Sequence, residues 1–343
     1  MATKRINLAL QGGGAHGAFT WGALDRLLDE PGIEIAGMSG TSAGALNGAA
    51  VKAGLVQGSR AAAQGNLHWL WEQVGAITDP ALAPWLAAAA PDAISAAIEA
   101  SLPFAIADSI GRMISPYATG PFYTNPLERI VARFHYDKVC AGTGPVLAIC
   151  ATNVRSGKIR VFQGAEITPL SLMASACLPT LFRAVEIEDP TTGRTEAYWD
   201  GGYTGNPALF PLFAPDLPDD IVVVNINPLW RDEIPTSARA IQNRINEISF
   251  NASLLRDLRA IAFVQRLIDE GRMEEGRMKR VRVHMVSDDA LMRQLSVATK
   301  IVPVPAVLHQ LHEAGRAAAD GFLRDHVDAI GKTGSVDLAW MFG

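Results

Sequence analysis

Six short runs rich in β-branched residues, at 6–10, 33–38, 146–154, 158–163, 221–227 and 281–286, constrain the fold most, because several are apolar at consecutive positions. A strand with one solvated face alternates apolar and polar residues, whereas a strand covered on both faces does not. Segments with helical character at 18–28 and 43–53 alternate with these runs. The pattern predicts an α/β protein with a layered, buried sheet. Two later stretches, 238–271 and 304–326, carry apolar residues near helical spacing and are expected to cover that sheet. The alanine-rich stretch 79–121 is divided by Pro84, Pro91, Pro103 and Pro116, and reads as an inserted helical cap. Two roles stay open for it: surface packing, or a lid whose apolar face contacts lipid.

With 343 residues, 49% of them hydrophobic, the chain is long enough for one large core or two domains. No repeat or low-complexity linker marks a boundary, so a single domain over 1–343 is expected, with the cap at 79–121 and a C-terminal helical region at 236–343. A net charge of −5, with no basic cluster interleaved with aromatics, excludes a nucleic-acid partner. Cys140, Cys150 and Cys177 lie in apolar surroundings without CxxC spacing, which suggests reduced thiols and a cytoplasmic setting. The apolar start is too short for a signal-peptide core, and prolines and acids interrupt the most apolar region, so no membrane span is expected.

Two glycine-rich stretches carry the chemistry. Gly40-Thr41-Ser42-Ala43-Gly44 matches the Gly-x-Ser-x-Gly elbow, in which a serine sits on a sharp strand-to-helix turn and its neighbours must be small. The segment 33–38 supplies the strand and 43–53 the helix. Gly12-Gly13-Gly14-Ala15-His16-Gly17 follows the first strand, and unhindered glycine amides there, with the Ala43 amide, suit an oxyanion hole. The rival reading, a dinucleotide loop in an oxidoreductase, needs an acidic residue about 20 positions on. Glu34 is its loose candidate, and the serine elbow that follows is unexplained by it. Asp200, before Gly201 and Gly202, is either a turn residue or the carboxylate that accepts the serine proton. In a triad instead, one of His284, His309, His312 or His326 would be the base, although none stands on a loop of small residues. His309 and His312 lack further ligands at matching spacing, so no metal site is expected.

Together with Ala174-Ser175-Ala176-Cys177-Leu178-Pro179, these blocks resemble the patatin-like phospholipase family, in order, across residues 10–202. The resemblance implies a three-layer α/β/α sandwich with a mostly parallel central sheet. It implies a Ser42–Asp200 dyad working through an acyl-enzyme, with Gly12, Gly13, Gly14 and Ala43 at the oxyanion and Gly17, Gly40, Gly44, Gly201 and Gly202 as motif support. It implies no cofactor or metal, and a fatty acyl ester of a phospholipid, lysophospholipid or related lipid met at a membrane periphery. The alternative within that resemblance is an idle lipid-binding module. His16 departs from the family, whose members commonly carry Arg or Lys there. A bond within its own loop is the expected role of His16.

Overall fold

The computed structural model describes residues 3–77, 91–100, 115–274 and 276–342. Eight strands form one sheet: β1 (Lys4–Leu10), β2 (Ile33–Thr41), β3 (Val146–Asn153), β4 (Ile159–Gln163), β5 (Val185–Asp189), β6 (Arg194–Asp200), β7 (Asp220–Asn225) and β8 (Arg282–Ser287). The order is β5-β6-β3-β2-β1-β7-β8, with β4 also paired to β3. β3, β2, β1, β7 and β8 run parallel, while β4 and β6 each pair antiparallel with β3 and β5 pairs antiparallel with β6. The principal helices are α1 (Gly17–Asp29), α2 (Ala43–Gln57), α3 (Arg60–Gly75), α4 (Pro91–Ala100), α5 (Pro169–Ser175), α6 (Ala238–Asp269), α7 (Val297–Ile301) and α8 (Pro305–His326).

The consecutive apolar runs are resolved by two cores. Ile6, Leu8, Leu10, Val222 and Val224 pack with residues of α1, α2, α3 and α8. Ala9, Ile221 and Val223 point the other way, against Leu254, Leu258 and Ile261 of α6. Because side chains alternate along a strand, both faces of β1 and β7 are apolar and both are covered. This is the three-layer α/β/α sandwich with a mostly parallel sheet.

Most of the expected cap lies outside the described residues. Of its described parts, α4 buries Ile94 and Ile98 in the main core, and Glu99 O accepts from Arg239 Nη1 of α6 at 3.0 Å. Among the described residues, no helix is long and apolar enough to cross a membrane.

Candidate active site

β2 ends at Thr41 and α2 starts at Ala43, so Ser42 alone makes the turn. Its φ of 53° and ψ of −122° are those of an N-cap outside the helical region, and it is the one non-glycine residue with positive φ among the described residues. Holding an L-residue there costs about 1–3 kcal/mol. The surrounding packing maintains it: a Cβ on Gly44 would overlap the Leu10 carbonyl, and one on Gly40 would stand 2.6 Å from the Gly44 oxygen. Ser42 N donates to Ser175 Oγ at 2.9 Å, and Ser175 Oγ donates to Cys150 O at 2.7 Å. The turn is thus tied to β3 through Ser175, on the fourth block of the resemblance.

Asp200 closes β6. Thr41 is paired with Cys150 and Asp200 with the next residue, Ala151, so adjacent positions of β3 hold the ends of β2 and β6 together. Asp200 N donates to Cys177 O at 2.8 Å. Its Oδ1 accepts from Gly202 N at 2.7 Å, while its buried Oδ2 has no hydrogen-bond partner. Burial raises the carboxyl pKa to about 7, against the opposing pull of the Gly202 amide and the nearby Ser42 hydroxyl. The hydroxyl is close enough to act on the carboxylate without a formed hydrogen bond to Oδ2. The arrangement leaves one acceptor oxygen available for a serine proton.

Two of the four downstream histidines pair with carboxylates elsewhere. His284 Nε2 lies 3.0 Å from Asp220 Oδ1, and His312 Nε2 lies 2.8 Å from Asp25 Oδ2. None of the four lines the cavities at Ser42. Among the described residues, no group of three or more His, Cys, Asp or Glu side chains is spaced to hold a metal ion.

The glycine loop differs from expectation at one donor. Gly12 N donates to Asn206 Oδ1 at 2.6 Å, so this amide is not available to an oxyanion. Among the described residues, the amides of Gly13, Gly14 and Ala43 have no such acceptor. Ala43 also opens the 15-residue α2, whose N-terminal end favours negative charge. Gly14 has φ 58°, and a Cβ on it would overlap the Lys300 carbonyl. Gly17 begins α1, and Gly201 and Gly202 open the turn that the Asp200 side chain caps.

His16 bonds outside its loop, with Nε2 2.8 Å from Thr299 Oγ1 of α7. Burial, and then the charge of Lys300, hold its pKa well below the usual histidine value. It is neutral. Glu34, the dinucleotide candidate, stands at the opposite end of β2 from the loop and pairs with Arg5 at 3.0 Å. A ribose-binding carboxylate belongs near the carboxyl ends of the strands, so Glu34 does not fit that role.

Two cavities meet at Ser42, sharing Gly14, Leu178, Leu181, Lys300 and Ile301. The narrower, about 140 Å³, is walled by Leu46, Leu70, Trp71, Val74, Leu127 and Phe182. The wider, about 510 Å³, is bordered by Asp200, Tyr203, Gln242, Asn246, Ser249 and Phe250. The N-terminal half of α6 therefore lines the site as well as covering the sheet. Lys300, Asn206 and Asn227 are absent from the motifs, and only their position in the fold brings them to the glycine loop.

A family model described as patatin-like phospholipase matches residues 8–213. No curated protein sequence matches the chain significantly. The crystal structure of VipD from Legionella pneumophila is similar over 95% of this chain and 68% of that chain, at 12% identity and a TM-score of 0.39. The heterodimeric ExoU–SpcU complex of the type III secretion system of Pseudomonas aeruginosa is similar over 96% of this chain, at 16% identity and a TM-score of 0.31. The chain spans 53% of the length of that partner in the comparison.

Proposed function

The chain belongs to the patatin-like phospholipase family, its model covering residues 8–213, and we propose that within this family of lipid hydrolases it works through Ser42 and Asp200. The observation that carries the reading is a strained serine beside a buried carboxylate whose Oδ2 has no other partner. Asp200 Oδ2 takes the Ser42 proton as Oγ attacks the ester carbonyl. The negative charge that develops on the carbonyl oxygen is met by the amides of Gly13, Gly14 and Ala43. Asp200 then passes the proton to the departing alkoxide, leaving an acyl-Ser42. Water, deprotonated by the same carboxylate, attacks the acyl carbon, and Asp200 returns that proton to Ser42 Oγ as it leaves and the fatty acid forms.

The two cavities divide the substrate. The narrow apolar one suits an acyl chain, and the wider one, with its amide and hydroxyl groups, suits the remainder of a phospholipid or lysophospholipid. Because α6 and α7 border the wider cavity, the hydrolase unit is proposed to extend beyond the matched residues as one domain. A panel of acyl esters, varying chain length and head group with Ser42→Ala as the blank, tests the reading. Turnover by wild type alone is expected, and Val74→Trp is expected to shift preference toward shorter acyl chains. Lipid binding without turnover across the panel would favour an idle binding module instead.

A further inference from the structure

Gly13 lines the wider cavity, and in the planar trans peptide unit joining Gly12 to Gly13 its N–H points opposite to the Gly12 carbonyl. Gly12 O accepts from Asn227 Nδ2 at 3.0 Å and from Asn206 Nδ2 at 3.3 Å. Asn227 Oδ1 in turn accepts from Lys300 Nζ at 2.6 Å. The orientation of the Asn227 amide is forced, since an ammonium only donates and a carbonyl only accepts. A chain of bonds therefore runs from the Lys300 ammonium through one amide, Asn227, to a second, the Gly12–Gly13 peptide. In each amide, drawing electron density toward oxygen strengthens its N–H as a donor, and bonds in such chains reinforce one another.

The charge at the head of the chain is not cancelled nearby. Glu247 of α6 faces Lys300, but its carboxylate is held by Arg231 at 2.9 Å and Arg244 at 3.1 Å. Among the described residues, Lys300 forms no ion pair within 4.0 Å. His16, which also faces it, is held toward its uncharged form by burial and by Lys300 itself.

We propose that Lys300 is a positioning residue for catalysis, strengthening the Gly13 oxyanion donor through Asn227 and the Gly12 carbonyl. This rests on the reading of Ser42 as nucleophile. Loss of hydration around the ammonium lowers its pKa to about 8, with Glu247 opposing the shift and Arg231 adding to it. The charge should then disappear across an accessible pH range.

The test measures kcat and KM on a soluble aryl ester from about pH 6 to pH 10, for wild type, Lys300→Met, Lys300→Arg and Ser42→Ala. Wild-type kcat should fall above about pH 8. Lys300→Met should lose about tenfold in kcat with KM within about twofold and no alkaline fall; a whole oxyanion donor is worth roughly 10²–10³. Lys300→Arg should restore most of kcat and hold it through pH 10. Wild-type kcat constant to pH 10, or Lys300→Met as fast as wild type, would overturn the proposal. If Lys300→Met melts below the assay temperature, the wild-type profile and its flattening in Lys300→Arg decide. Residual turnover in Ser42→Ala would instead overturn the nucleophile assignment, so the two failures are distinguishable.

Discussion

Asp200, the proposed base, would join chemistry to stability through a single carboxyl. Burial raises its folded-state pKa to about 7 from an unfolded value of 3.8. A base must be ionised to accept a proton, so kcat/KM should rise about tenfold per pH unit below 7 and level off between about 7 and 8, above which the loss of the Lys300 charge takes over. The same shift has a definite sign for folding. The protonated carboxyl is favoured in the folded state, so this contribution is complete below pH 3.8 and is lost as pH rises through about 7. Asp200→Asn removes the ionisation while keeping an acceptor for the Gly202 amide. Calorimetry should therefore find this variant more stable than wild type at pH 8, by on the order of 4 kcal/mol, and equal to it near pH 3. Its esterase activity should collapse. Equal melting temperatures at both pH values would mean that the carboxyl is not desolvated as described.

At the level of elements, the site is a junction of strand ends. β3 aligns the last residues of β2 and β6, and the tight start of α2 holds Ser42 at its strained angle. Gly44→Ala would drive a methyl group into the Leu10 carbonyl, so the helix must shift away from β1. A loss of about 2–3 kcal/mol in denaturant unfolding is expected, with a larger proportional loss of activity. Much of this junction was legible in the sequence, because a strand, a Gly-x-Ser-x-Gly turn and a helix are local patterns. β5, with the sequence Val185-Glu186-Ile187-Glu188-Asp189, was not, since its acidic residues mask a short edge strand. Nor did any local pattern show that Asn206 occupies the Gly12 amide, or that Lys300 reaches Asn227. Those bonds join residues 194 and 73 positions apart, and only the completed sheet brings them together.

Across the whole molecule, the site needs segments from nearly the full chain. β7 lies between β1 and β8, and α6 supplies both the second core and a wall of the wider cavity. A protein ending at residue 213, the limit of the family match, would expose the edge of β1 and leave one face of the sheet uncovered. Such a truncation should be insoluble or lack a cooperative unfolding transition, measured by circular dichroism during urea titration. The central claim, that Ser42 is the nucleophile in a dyad with Asp200, is tested most directly by mass spectrometry of protein treated with a fluorophosphonate. One adduct is expected, mapped to the peptide containing Ser42, formed far more slowly in Asp200→Asn and absent in Ser42→Ala. An adduct on another residue, or equal labelling of Ser42→Ala, would contradict it.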